Sequence, residues 1–183
     1  VKPSEAFELL VGSVKGSEGL ALRAYPDPAS PLYVALAKAG LIRAYMAGKA
    51  EIPADLRDLS GAPWTNGYGE TEGVKEGDVW TRDYAELRLR HKLVLFLAKV
   101  YAKCPALHQL EPERASACTS LAYNIGLGAF GASSVCRFTT RGQLQAAADA
   151  FRLWNKAGGR VLAGLTARRA MERLIYLLQY PRS

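Results

Sequence analysis

A chain of 183 residues and 19.8 kDa, 49% hydrophobic and 22% charged, is large enough to bury roughly 70% of its unfolded surface as one domain or two small lobes sharing a core, which argues against disorder. No run of 18 apolar residues occurs, and the start Val1-Lys2-Pro3-Ser4-Glu5 has neither a secretory apolar stretch nor a membrane anchor, so the expectation is a soluble protein made in the cytoplasm. The net charge of +7 calls for an anionic partner, but no helix carries a basic run with interleaved aromatics and no nucleic-acid module signature is present.

Residues 4–17 predict a helix: Phe7, Leu10, Val11 and Val14 share one face, Glu5 and Glu8 sit in the first turn, and Gly16 and Gly19 mark the end. Glu18 therefore stands at the negative end of that helix. The macrodipole disfavours a carboxylate there, and burial against Leu20 or Leu22 would add to this, favouring the protonated form that a general acid needs. After an extended segment comes Asp27, which Pro26 and Pro28 keep out of any helix interior and which stays ionised in an exposed turn. Opposed environments for two carboxyls are the pattern that assigns an acid and a base. With 17 acidic residues in the chain, the spacing of these two alone says little.

Ser30-Pro31 reads as an N-cap with proline at the first helical position, leading a short helix with Leu32, Leu36 and Ala39 on one face before Gly40. A second apolar set, Leu41, Ile42, Tyr45 and Met46, ends at Gly48. Pro53 opens a further short helix to Leu59, stopped by Gly61 and Pro63. Residues 28–63 thus read as a mostly helical insertion that packs as a lid on neighbouring strands rather than forming a separate binding module. Trp64 to Thr71 alternates bulky and small residues around Gly67 and Gly69, a strand and tight turn carrying the hydroxyl of Thr65.

Thr81 caps a long helix, 82–103, with Leu87, Val94, Leu97 and Tyr101 on its apolar face and Arg82, Arg88, Arg90 and Lys92 solvating the other. Pro105 breaks it. Glu111-Pro112 starts the next helix, with Ala115, Cys118, Leu121, Ala122 and Ile125 buried, Tyr123 and Asn124 in its last turn, and Gly126 at its end. Short helices follow near 132–138 and 141–153. Trp154, close to Gly158-Gly159, wedges an aromatic at a loop. A last helix, 165–179, turns Leu165, Met171, Leu174, Ile175 and Leu178 inward, and leaves Arg168 and Arg169 either solvated or available to an acid. Cys104, Cys118 and Cys136 form no C-x-x-C pair and, with only His91 and His108 beside them, do not suggest a zinc site. The two histidines read as surface or capping residues. The odd cysteine count favours free thiols, with a Cys104–Cys118 bridge after export as the alternative.

Four blocks add a resemblance. Glu18-Gly19 through Ala24-Tyr25-Pro26-Asp27 and Trp64-Thr65-Asn66-Gly67-Tyr68-Gly69-Glu70-Thr71 resemble the E-G-x-x-x-x-A-Y-x-D and W-T-x-G-Y-G-H-T signatures of phage-type lysozymes, the endolysins of glycoside hydrolase family 24. Tyr123-Asn124-Ile125-Gly126-Leu127-Gly128-Ala129-Phe130 is similar to that family's F-N-x-G-x-G-A-F. Trp154-Asn155-Lys156-Ala157-Gly158-Gly159, Gly164-Leu165-Thr166-Ala167-Arg168-Arg169 and Glu172 resemble its W-N-x-A-G-G and G-L-x-x-R-R-x-x-E blocks. Two departures stand out: residues 28–64 separate Asp27 from Thr65, where small family members have a handful, and Glu70 replaces a histidine.

The resemblance implies an α+β, lysozyme-like fold in a single catalytic domain. Its small β-containing lobe would span about 18–80, and its helical lobe 1–17 and 81–183. It implies hydrolysis of the β-1,4 link between N-acetylmuramic acid and N-acetylglucosamine in peptidoglycan, with inversion and without cofactor or metal. Glu18 would be the general acid, Asp27 would hold the attacking water and Thr65 would help place it. Asn124 and Tyr68 would contact substrate, and Trp154, Arg168 and Arg169 would support the site, one of the arginines approaching Glu18. The implied partners are glycan strands and the anionic bacterial envelope, met by a monomer made in the host cytoplasm and acting on the wall in the periplasm. A catalytically silent peptidoglycan-binding relative is the alternative. A basic nucleic-acid-binding domain rests on charge alone.

Overall fold

The computed structural model describes residues 5–179. The fold is α+β, mostly helical with two small antiparallel two-stranded sheets, and contacts divide the chain into two units, Lys15–His91 and the remainder. The boundaries fall inside two helices, α1 (Glu5–Glu18) and α4 (Arg82–Lys103). Among the described residues no helix is long and apolar enough to cross a membrane.

In the unit Lys15–His91, β1 (Ala21–Pro26) pairs antiparallel with β2 (Trp64–Gly67), setting Pro26 opposite Trp64 and Tyr25 opposite Thr65, with an irregularity between Ala21 and Tyr25. On the other edge of β1, Ala24 N–H donates to Asp78 O (2.8 Å) and Trp80 N–H to Leu22 O (2.8 Å). The insertion begins as predicted: Ser30 Oγ accepts from Tyr33 N–H at 3.2 Å and starts α2 (Pro31–Lys38), followed by α3 (Ile42–Met46). The segment after Pro53 makes only a 3-10 turn, Ala54–Leu56.

This insertion is more than a cover. Leu32, Leu36, Tyr45 and Ile52 are buried together, with Tyr25 and Trp64 of the strands packed against them, so it supplies most of this hydrophobic cluster. At roughly 1.5–3 kcal/mol for each fully buried large apolar side chain, the strands gain much of their support there. Arg23 of β1 adds a polar tie, with Nη2 2.8 Å from Glu51 Oε2 and its guanidinium 4.5 Å from the centre of the Tyr45 ring.

The second unit surrounds α5 (Pro112–Ile125), buried on nearly every side from Arg114 to Ala122. A helix so enclosed must satisfy its polar side chains internally: Thr119 Oγ1 donates to Ala115 O (2.7 Å) and Ser120 Oγ to Glu172 Oε1 (2.6 Å). Around it lie α6 (Leu127–Ala132), α7 (Ser134–Thr140), α8 (Leu144–Ala150) with a 3-10 turn at Phe151–Trp154, and α9 (Ala163–Tyr176). Two short strands, β3 (Lys156–Ala157) and β4 (Arg160–Val161), turn at Gly158 and Gly159, both with positive φ as a two-residue hairpin requires.

Several expectations are corrected. The helix predicted near 132–138 is α7, capped by Ser133, whose hydroxyl accepts from Cys136 N–H, and α6 before it was not predicted. In α4 the buried line is Ala85, Leu89, Leu93 and Val100, while Leu87 and Val94 are more than half exposed. That helix has apolar residues on more than one face, so spacing alone did not select the buried one. Its cations are not simply solvated either: Arg88 donates to Glu72 O (2.9 Å) and Arg90 pairs with Glu86. In α9 Met171 is exposed, and Arg169 and Glu172 are buried with Ile175 and Tyr176.

Gly61 has no room for a side chain. A Cβ there would lie 2.7 Å from the Trp64 ring and 2.9 Å from Pro26 Cβ. Gly61→Ala is expected to destabilise by roughly 1–3 kcal/mol, read as a lowered midpoint in urea unfolding followed by tryptophan fluorescence.

Glu86 receives Lys15 Nζ at 2.7 Å and Arg90 Nη2 at 3.0 Å. The hydrogen bond from Lys15, then that from Arg90, hold its carboxyl below the ordinary 4.5, and the Glu86 bond holds the Lys15 ammonium above 10.5. A depressed carboxyl stabilises above its unfolded value and loses that contribution as pH falls. A raised ammonium stabilises below its unfolded value and loses its contribution as pH rises. The Tm difference between wild type and Glu86→Gln should hold steady between about pH 5 and 10 and shrink on the acid side of the ordinary carboxyl range.

Candidate active site

Glu18 is the last residue of α1, and Gly19, at φ 70°, takes the left-handed turn that sends the chain into β1. The expected burial beside Leu20 or Leu22 is absent, and Glu18 is exposed. Its Oε2 lies over the turn after β2, where a Cβ on Gly69 would come to 3.4 Å from it. Gly67 and Gly69, at φ 61° and 80°, form that turn, and reciprocal backbone bonds of 2.9 Å between Asn66 and Glu70 close it. Asn66 is fully buried, its Nδ2 donating to Asp78 O at 3.2 Å.

Asp27 follows the end of β1. Its N–H is shared between Gly61 O (3.0 Å) and Pro63 O (3.1 Å), and its carbonyl accepts from Ser30 N–H at 2.8 Å. Its Oδ1 accepts from Ala29 N–H at 2.8 Å, the local turn to which aspartate is suited. The side chain is therefore half-buried and held in one orientation by its own loop.

Thr65, 8% exposed, stands opposite Tyr25 in the register of the strand pair. Burial is the main cause that raises the Tyr25 phenol above its ordinary value. The neighbouring Thr65 side chain opposes it, and the charges of Glu18 and Asp27 add to it. Tyr25 is thus the group on which all three sequence candidates of this unit act. It stood in the quoted A-Y-x-D block without a role, and its place opposite Thr65 follows only from the register of the sheet.

Tyr68 is 5% exposed, with Lys15 Nζ 5.8 Å from its ring centre, so it presents little surface to a ligand. Glu70, where the resemblance has histidine, is buried and accepts from Thr71 N–H (3.1 Å) and Glu72 N–H (3.2 Å), supporting its own turn.

The remaining candidates lie in the other unit, organised by Glu172. Arg168 Nε is 3.3 Å from Glu172 Oε1, and Arg169 Nε and Nη2 are each 2.7 Å from a Glu172 oxygen. Arg169 and Glu172 are both 1% exposed. Burial is the leading influence on each, pushing the Glu172 carboxyl up and the Arg169 guanidinium down, and their mutual attraction opposes it. Arg169 Nη1 also donates to Asn124 Oδ1 (3.0 Å) and Trp154 O (3.4 Å), while Arg168 Nη2 reaches Ser120 O (3.2 Å). Neither arginine is simply solvated. One guanidinium orients the Asn124 amide, at the exposed end of α5, and anchors the Trp154 backbone. Glu172 stood in the last quoted block without a role, although its spacing of three and four from Arg169 and Arg168 is that of helical ion pairs.

A phage lysozyme family model matches residues 51–172, including Thr65, Asn124, Trp154, Arg168, Arg169 and Glu172, with Glu18 and Asp27 lying before the matched segment. The endolysin of Bacillus phage PZA is 36% identical over 114 residues, 62% of this chain and 43% of that protein, so the chain spans less than half the length of this relative. The SAR-endolysin of Enterobacteria phage P21 is 31% identical over 133 residues, 71% of this chain and 76% of that protein. Among solved structures, the muramidase domain of SpmX from Asticaccaulis excentricus superposes with a TM-score of 0.66 at 28% identity, covering 96% of this chain and 97% of that one. With well over half of its residues matched to the family model, the chain belongs to the phage lysozyme family.

Proposed function

We propose that this chain is a muramidase, hydrolysing the β-1,4 bond between N-acetylmuramic acid and N-acetylglucosamine in peptidoglycan. The observation that carries the reading is the gathering of Glu18, Asp27 and Thr65 around the β1–β2 pair within one compact unit, inside a chain of the phage lysozyme family. Glu18, exposed at a helix end, protonates the leaving glycosidic oxygen. Asp27 has Oδ1 committed to Ala29, which leaves Oδ2 to hold a water on the opposite face of the sugar. The Thr65 hydroxyl, held in the strand opposite Tyr25, helps aim that water.

The two-lobed division expected from the resemblance carries over as part of this reading. Asn124, oriented by Arg169, contacts the glycan, and Trp154, Arg168 and Arg169 hold that end of α5 in place. Tyr68 supports the turn beneath Glu18 rather than making a broad sugar contact. The net charge of +7 draws the protein to the anionic wall, where it works as a monomer on glycan strands without a nucleic-acid partner. Synthesis in a host cytoplasm followed by release to the wall in the periplasm completes the proposal, and the endolysin relatives support it.

A zymogram on bacterial cell walls tests the reading, with the Glu18→Gln variant alongside. Clearing by wild type and a loss of at least ~10²-fold in turnover for a folded Glu18→Gln protein are expected, the scale of general acid catalysis. No clearing by wild type would favour a silent peptidoglycan-binding protein, and equal clearing by the variant would remove Glu18 from the mechanism.

Attack by a held water inverts the anomeric carbon and needs the carboxyl groups roughly 6.5–9.5 Å apart, against about 5–5.5 Å for a retaining enzyme. The long insertion does not loosen this spacing through the backbone, because Asp27 N–H is bonded to both Gly61 O and Pro63 O where the insertion returns. Proton NMR of the first product, before mutarotation, should show the α anomer. An initial β anomer would recast Asp27 as a nucleophile or ion-pair stabiliser.

A further inference from the structure

The three cysteines are unbridged and buried, yet they are not equivalent. Cys104 closes α4, its N–H donating to Val100 O at 2.9 Å, and Cys136 lies in the first turn of α7. Each sulfur reaches the main chain beside the other: Cys104 Sγ is 3.8 Å from Cys136 O, and Cys136 Sγ is 3.6 Å from Lys103 O. Such a reciprocal approach brings the two side chains together across segments 32 residues apart. Cys118, in the middle of α5, is fully buried and has no part in this exchange. The cysteines are free, as expected, and the thiol beside Cys104 is Cys136 rather than Cys118, the partner in the alternative bridge.

We propose that Cys104 and Cys136 form a disulfide-forming pair, reduced where thiols are kept reduced and closed by a small-molecule or protein disulfide in an oxidising compartment. The chemistry has a direction. A hydrogen bond from the Cys104 thiol draws Cys136 down to about 7, while the same contact and burial push Cys104 up, so Cys136 is the thiol that ionises. Cys136 is also the only one of the pair with any exposure, 5% against 0%. Its thiolate attacks the oxidant's disulfide, forming a mixed disulfide and expelling one thiolate. Cys104, delivering its proton to a departing thiolate, attacks Cys136 Sγ, breaks the mixed bond and expels the second thiol. The protein loses two protons and two electrons, and the oxidant's disulfide takes them up to become two thiols.

The bridge would tie the end of α4 to the start of α7 and enclose α5 and α6, the segment that carries Asn124. Closing such a loop restricts the unfolded chain far more than the native one, in which each sulfur already lies against the main chain beside the other cysteine. The proposal does not depend on the muramidase reading, and its readouts do not use activity.

The test equilibrates the fully reduced chain in glutathione buffers stepped from reduced to oxidised, then quenches with acid, alkylates and reads intact mass and cysteine peptides. Expected are a species lighter by two hydrogens with one alkylatable thiol, a single linked peptide pair joining Cys104 and Cys136, and a Tm raised by roughly 5–10 °C. Cys118→Ala should behave as wild type, and Cys104→Ser should stop at a glutathione adduct on Cys136. Three alkylatable thiols in oxidised buffer, a stable glutathione adduct on the wild-type chain, or a linkage through Cys118 would each overturn the proposal.

Discussion

The pairing of β1 with β2 is the constraint on which the candidate site depends. Pro26 opposite Trp64 and Tyr25 opposite Thr65 bring together residues that the chain separates by the whole insertion, and the N–H of Asp27 extends the junction to Gly61 and Pro63. Closing a loop of that length costs entropy that grows only slowly with each added residue. The apolar cluster of Leu32, Leu36, Tyr45 and Ile52 against Tyr25 and Trp64 offsets it, as does the tie from Arg23 to Glu51. The insertion thus supports the same strands that its length would otherwise leave loosely joined.

A different economy governs the other unit. Glu172 and Arg169 are buried beyond contact with water, which is costly for isolated charges. Ser120 and both guanidinium groups donate hydrogen bonds to Glu172 Oε1, while Oε2, 2.7 Å from Arg169 Nε, is met by charge without a hydrogen bond. Replacing such a pair with packed apolar groups is often neutral, whereas removing one partner costs about 3–5 kcal/mol. The arrangement therefore serves orientation more than stability: from one fixed carboxylate, Arg169 reaches both Asn124 and the Trp154 backbone.

Much was legible before any coordinates. The Ser30-Pro31 start of α2, the Thr81 start of α4, the proline that opens α5 and the glycine that ends it are local signals, and each lies where the sequence put it. Local signals act over one turn of backbone, which is why they survive transfer from sequence to structure. The same scale explains the failures. The buried line of α4 runs through Leu89 and Leu93 rather than Leu87 and Val94, and α9 buries an arginine and a glutamate in place of Met171, because which face is covered depends on what lies opposite.

The sequence by itself therefore determined the α+β class, the order of most elements and the family blocks containing Glu18, Asp27 and Thr65, since capping, proline placement and short motifs need no distant partner. Only the tertiary structure decided that Tyr25 pairs with Thr65, that Arg169 reaches Asn124 and the Trp154 backbone, and that Cys104 adjoins Cys136. Each of these is a contact between segments far apart in the chain, chosen by strand register and helix packing, and no spacing along the sequence encodes it.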